Sequence, residues 1–132
     1  MQSSGFSTIN PSTGEEIETF SFYNSSEIEE VLVRAEKSFQ SYRKLPVHQR
    51  AQLLSHLAET LRKNKARLAK VITTEMGKIL PEAEAEVEKC AAEADWYSQL
   101  RHKYEHAARR PWELLAPDPP RPTVKQPFRL PR

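Results

Sequence analysis

From residue 28 onward the apolar positions of this chain fall at helical spacing; before that they do not. Ile28, Val31, Leu32, Ala35, Phe39 and Tyr42 recur at i, i+3, i+4, i+7, i+11 and i+14, one stripe of a helix. Ser26 and Glu29 have the spacing of a capping box, which predicts that this helix begins near Ser26. Leu45-Pro46 ends it, because the residue before a proline avoids the α region. Pro46 suits the first turn of a second helix, where its missing N–H costs nothing. Leu53, Leu54, Leu57, Ala58 and Leu61 form that helix's face, and Asn64 marks a junction. The pattern resumes at Leu68, Ala69, Val71 and Ile72 and stops at Gly77. A further helix is predicted over residues 81–100, with Ala83, Val87, Cys90, Ala91, Ala94 and Tyr97 on its apolar face.

Upstream, Ser7-Thr8-Ile9 and Glu16-Ile17-Glu18-Thr19-Phe20 flank Asn10-Pro11-Ser12-Thr13-Gly14. Pro11 presets φ for a turn, Asn10 can accept from the backbone two residues on, and Gly14 tolerates positive φ. These segments predict a β-hairpin. A lone hairpin is marginal by itself, and each helix offers a single apolar face. The ordered part is thus expected to lean on elements it does not contain.

Composition places a seam near residue 100. Residues 1–100 hold 12 Lys+Arg against 15 Asp+Glu, a net of −3; residues 101–132 hold 8 against 3, a net of +5. Seven of the ten prolines follow position 110. Residues 101–109 have the composition to extend the last helix, but the prolines beyond exclude helix and central strand. The expected division is a hairpin-plus-helix segment over 1–100 and a basic, proline-rich, disordered tail over 101–132. Mean hydropathy is −0.70 and no run approaches a membrane span. The N-terminus has neither a basic start nor an apolar stretch, so no secretory signal is expected. The single cysteine, Cys90, excludes an internal disulfide and fits a reducing, cytoplasmic location.

Five segments in register resemble the aldehyde dehydrogenase family. Ile9-Asn10-Pro11-Ser12-Thr13-Gly14-Glu15 is similar to that family's opening hairpin, and residues 27–39 to its first helix. Leu45-Pro46-Val47-His48-Gln49-Arg50-Ala51 is similar to the start of its second helix. Thr74-Glu75-Met76-Gly77-Lys78 is similar to the close of its third. Ala85-Glu86-Val87-Glu88-Lys89-Cys90, running on to Asp95-Trp96-Tyr97, is similar to the helix that follows. The Met-Gly-Lys and Asp-Trp-Tyr variants most resemble bacterial succinate-semialdehyde dehydrogenases. The resemblance implies a mainly α fold with an N-terminal hairpin: an incomplete N-terminal part of a Rossmann-like cofactor domain, followed by an irregular tail. It implies a homo-oligomeric parent enzyme that oxidises an aldehyde with NAD or NADP, through a cysteine nucleophile and a glutamate. The likeness is expected to stop at Tyr97, where the change in composition suggests a shifted reading frame or an alternative end.

The chemistry available within the chain is slight. Cys90 lies mid-helix on the apolar face, and Lys89, adjacent in sequence, does not share its side of the helix. A packed structural thiol is the expectation. Gly5, Gly14 and Gly77 are too far apart to build a phosphate-cradling loop, so Gly77-Lys78 reads as a helix stop and not as a nucleotide motif. His102 and His106, with Glu105 between, have two-ligand metal spacing but no second cluster to complete a site. Glu82, Glu84, Glu86 and Glu88 read partly as a solvated face, although the resemblance would put Glu86 near the mouth of a substrate tunnel. No catalytic, cofactor-binding or metal residue is therefore assigned, and the chain is expected to be inactive alone. The tail offers cations, the aromatic rings of Trp112 and Phe128, and Pro119-Pro120-Arg121-Pro122 as a polyproline segment. No membrane contact and no specific nucleic acid are expected. The alternative class is a helical protein-interaction module with a basic, proline-rich binding tail.

Overall fold

The computed structural model describes residues 5–123, so Phe128 lies outside the described residues. It contains strands β1 (Gly5–Ile9) and β2 (Glu16–Ser21) and helices α1 (Ser25–Tyr42), α2 (Val47–Lys63), α3 (Lys65–Met76) and α4 (Leu80–Arg109). The described residues divide into two compact units: 5–45 with 74–77, and 46–73 with 78–123.

In the first unit β1 and β2 pair antiparallel, with Phe6 opposite Phe20 and Thr8 opposite Glu18. The turn is built as its residues dictate. Asn10 Oδ1 accepts from the Ser12 N–H at 2.9 Å, and the Gly14 N–H donates to the Asn10 carbonyl at 2.8 Å. Gly14 has φ +76° and Gly77 has φ +69°, conformations that a side chain would strain. Phe6 and Phe20 stack with ring centroids 5.3 Å apart. Helix α1 begins earlier than the Ser26–Glu29 spacing suggests. Its cap is Asn24, whose Oδ1 accepts from the Glu27 N–H at 3.0 Å while the Glu27 carboxylate accepts from the Asn24 N–H at 2.7 Å. Both pairs have capping-box spacing; the earlier one wins because asparagine caps as well as serine and leaves both serines inside the first turn. The stripe of α1 is in the expected register and uncovered: Ile28, Leu32 and Phe39 are about half exposed, and the helix has no buried residue.

In the second unit α2 and α4 run antiparallel and share a core of small side chains. Ala51, Ala58, Ala83 and Ala91 are fully buried, and Val87, Ala94 and Ser98 nearly so. Leu61 packs on the Ala58–Ala91–Ala94 cluster. Two polar links fix the register. Ser98 Oγ donates to the Ala51 carbonyl at 3.0 Å and lies 2.9 Å from Ser55 Oγ. Arg62 reaches across to Glu88 at 2.9 Å and Asp95 at 2.7 Å.

Three expectations need correction here. Pro46 is the N-cap of α2 rather than its first helical residue, since its ψ of 151° is extended. The buried face of α4 is rotated from the expected one: Ser98 belongs to it, whereas Cys90 and Tyr97 are exposed. Ala91 and Ala94 pack against Ala58 of α2, and the buried line runs from Ala83 and Val87 through them to Ser98, passing Cys90 and Tyr97 on its flank. Finally, α4 continues nine residues past the seam in composition. Glu105 and Arg109 pair at i, i+4, and no proline interrupts before Pro111. A turn follows at residues 110–113, where the Glu113 N–H donates to the Arg110 carbonyl at 3.0 Å, and residues 114–123 form no regular element, though Asp118, Pro119 and Arg121 are hydrogen-bonded to α4.

Candidate functional site

Helix α4 carries most of the residues with chemical potential, and its 3.6-residue period distributes them over different faces. Cys90 is exposed, mid-helix, well away from the N-terminus at Leu80 that could activate a thiol. The four alternating glutamates do not form one acidic wall. Spaced by two, they project to opposite sides of the helix, and Glu86 and Glu88 meet different partners. Glu86 pairs with Lys78, which holds the lysine after Gly77 at the start of α4. Glu88 takes Arg62 jointly with Asp95, and those two acids, Asp95 foremost, hold the guanidinium above its ordinary pKa.

His102 and His106 are both exposed. Glu105 between them is engaged elsewhere, 2.8 Å from Arg109 and 3.8 Å from His48 Nδ1. The described residues contain no group of three or more His, Cys, Asp or Glu placed to hold a metal ion. Gly14 and Gly77 serve a hairpin turn and a helix stop, and Gly5 is paired with Ser21 in a strand.

One polar arrangement, joining the tail to α4, was not anticipated from the residues alone. Residues 117–122 lie along α4. Lys103 Nζ donates to Asp118 at 2.5 Å, and Tyr104 Oη is 2.9 Å from both oxygens of the same carboxylate. The Trp96 indole N–H donates to the Pro119 carbonyl at 3.0 Å. Arg121 Nε meets both oxygens of Glu93 at 2.9 and 3.1 Å, and its guanidinium sits over the Trp96 ring. Lys103, then Tyr104, holds the Asp118 carboxyl below its usual range, and Asp118 in turn raises the Tyr104 hydroxyl. A signal existed: Glu93, Trp96, Leu100, Lys103 and Tyr104 recur at helical spacing, a second stripe beside the alanine one. In all, Lys103, Arg109, Arg110 and Arg121 are in ion pairs within the chain, which leaves a less uniform basic strip than composition suggested. Trp112 is largely exposed.

The aldehyde dehydrogenase family model matches residues 1–123. This chain belongs to that family. The family model extends past Tyr97 to residue 123, whereas the relatives below align over 97 residues or fewer. A probable succinate-semialdehyde dehydrogenase [NADP(+)] from Synechocystis is 40% identical over 97 residues, 74% of this chain and 21% of that protein. A succinate-semialdehyde dehydrogenase [NADP(+)] from Deinococcus radiodurans is 38% identical over 94 residues, 71% of this chain and 20% of the relative. Among solved structures, the succinic semialdehyde dehydrogenase of Streptococcus pyogenes in complex with NADP+ aligns with a TM-score of 0.66 at 34% identity, covering 71% of this chain and 21% of that one. The aldehyde dehydrogenase chain thus spans about a fifth of the length of the relatives it matches.

Proposed function

We propose that this chain forms the N-terminal part of the cofactor domain, Rossmann-like in the complete fold, of an enzyme that oxidises succinate semialdehyde or a close analogue to the carboxylate with NADP or NAD. One observation carries the reading: 40% identity over 97 residues with a relative named for that reaction. The uncovered stripe of α1 supports the incomplete domain, because an apolar helix face of that length ordinarily meets a neighbour. On this reading the segment acts structurally and does not turn over aldehyde alone. Its thiol sits mid-helix and its glycines are dispersed, so nucleophile and nucleotide site belong to other parts of such an enzyme. The parent would be a cytoplasmic homo-oligomer.

A segment exchange tests this. Residues 5–97 of this chain replace the matching segment of a succinate-semialdehyde dehydrogenase, and NADPH formation from succinate semialdehyde is followed. A folded chimera that keeps activity on that aldehyde is the expected outcome. A folded chimera that has lost it, or NADPH formation by the isolated chain, would overturn the proposal.

A further inference from the structure

The last eleven residues of α4, 99–109, present a physical problem. The core that α4 shares with α2 ends at Ser98, and no residue from 99 to 109 is buried. Helix α2 begins only at Val47, so the end of α4 projects along the very start of its partner, where His48 faces Glu105 at 3.8 Å. With no apolar core beneath them, these turns depend on contacts to their partly covered residues, Leu100, Arg101, Lys103, Glu105 and Ala107.

We propose that residues 117–121 are an intramolecular latch. By docking antiparallel on Glu93, Trp96, Lys103 and Tyr104, the latch keeps the final turns of α4 helical. The order of charges sets its direction. Along α4 the sequence is acid then base, Glu93 to Lys103; along the tail it is acid then base, Asp118 to Arg121. Antiparallel docking joins each acid to a base, as observed in the Lys103–Asp118 and Arg121–Glu93 pairs. Parallel docking would oppose Glu93 to Asp118 and Lys103 to Arg121. The prolines fit this use. An extended proline-rich strand advances about 3.1 Å per residue and a helix about 1.5 Å, so three latch residues with long side chains span some two to three helical turns. Such a strand makes no internal hydrogen bonds, which leaves the Pro119 carbonyl free to accept from Trp96. Pro117, Pro119, Pro120 and Pro122 also restrict the undocked segment, so little freedom is lost on docking. Undocked, the segment would uncover the partly buried Trp96 and release the end of the helix, giving α4 two states governed by one short strand.

Amide hydrogen exchange of the full 132-residue chain tests the latch. Asp118→Ala combined with Arg121→Ala should speed exchange over residues 99–109 by about tenfold, with residues 51–94 unchanged. Glu93→Arg alone should do the same, and adding Arg121→Glu, which restores the pair with reversed sign, should recover the original protection. Unprotected amides at 99–109 in the parent chain would overturn the proposal. So would unchanged rates in the variants, a loss spread equally over residues 51–98, or failure of the charge swap to restore protection.

Discussion

Asp118 shows how one side chain ties local chemistry to a longer-range link. Its carboxylate accepts from Lys103 and Tyr104, and these donors, the lysine foremost, lower its pKa. A carboxyl lowered in the folded state contributes stability that is fully present above its unfolded pKa, about 3.9, and is lost as pH falls through the folded value. Asp118 should therefore titrate below the ordinary carboxylate range by NMR, and Lys103→Met should move its midpoint upward. At Ala91 the constraint is volume. The residue is fully buried between α4 and α2, in a cluster whose other members are Ala58 and Ala94. Ala91→Leu should cost about 1–3 kcal/mol through overpacking, read as a lower denaturation midpoint. The alanines were legible in the sequence as core candidates. Cys90 was misplaced because it sits one position from Ala91, and one residue is 100° of helix.

Among the elements, the hairpin and helices were largely legible because each is punctuated by residues with few conformational options. Gly14, Pro46, Asn64 and Gly77 all fall at turns, caps or junctions. The start of α1 was less legible, since two overlapping pairs have capping-box spacing. Asn24→Ala should destabilise that helix by about 1 kcal/mol, whereas Ser26→Ala should change it by a few tenths at most, both followed by circular dichroism. The end of α4 was left open between residue 100 and residue 109 for a different reason. Residues 99–109 have adequate helix propensity but no continuous apolar face, and propensity by itself does not settle a helix without packing.

For the whole molecule, what stands out is how little large apolar surface is enclosed: among the described residues no large side chain is fully buried, and Leu53, Leu57, Phe39 and Tyr97 remain substantially exposed. Helices α2 and α4 meet through alanines, so the leucines on α2's remaining surface stay uncovered in this chain. On the reading proposed above such faces meet the rest of the domain; the relatives extend over about five times the aligned length. The segment exchange proposed above is the test at this scale: these faces should be covered once the remaining elements are present, and activity in the chimera would report that they fit. No described helix is long and apolar enough to cross a membrane.

The sequence by itself determined which elements form, most of their boundaries, and the family, because caps, glycines, prolines and short motifs act over a few residues. Only the tertiary structure decided which flank of α4 is buried, that Ser98 joins Ser55 and Ala51, and that Asp118 and Arg121 return to α4. Those outcomes depend on partners 14 to 47 residues distant in sequence, and helical periodicity specifies a face without naming what will cover it.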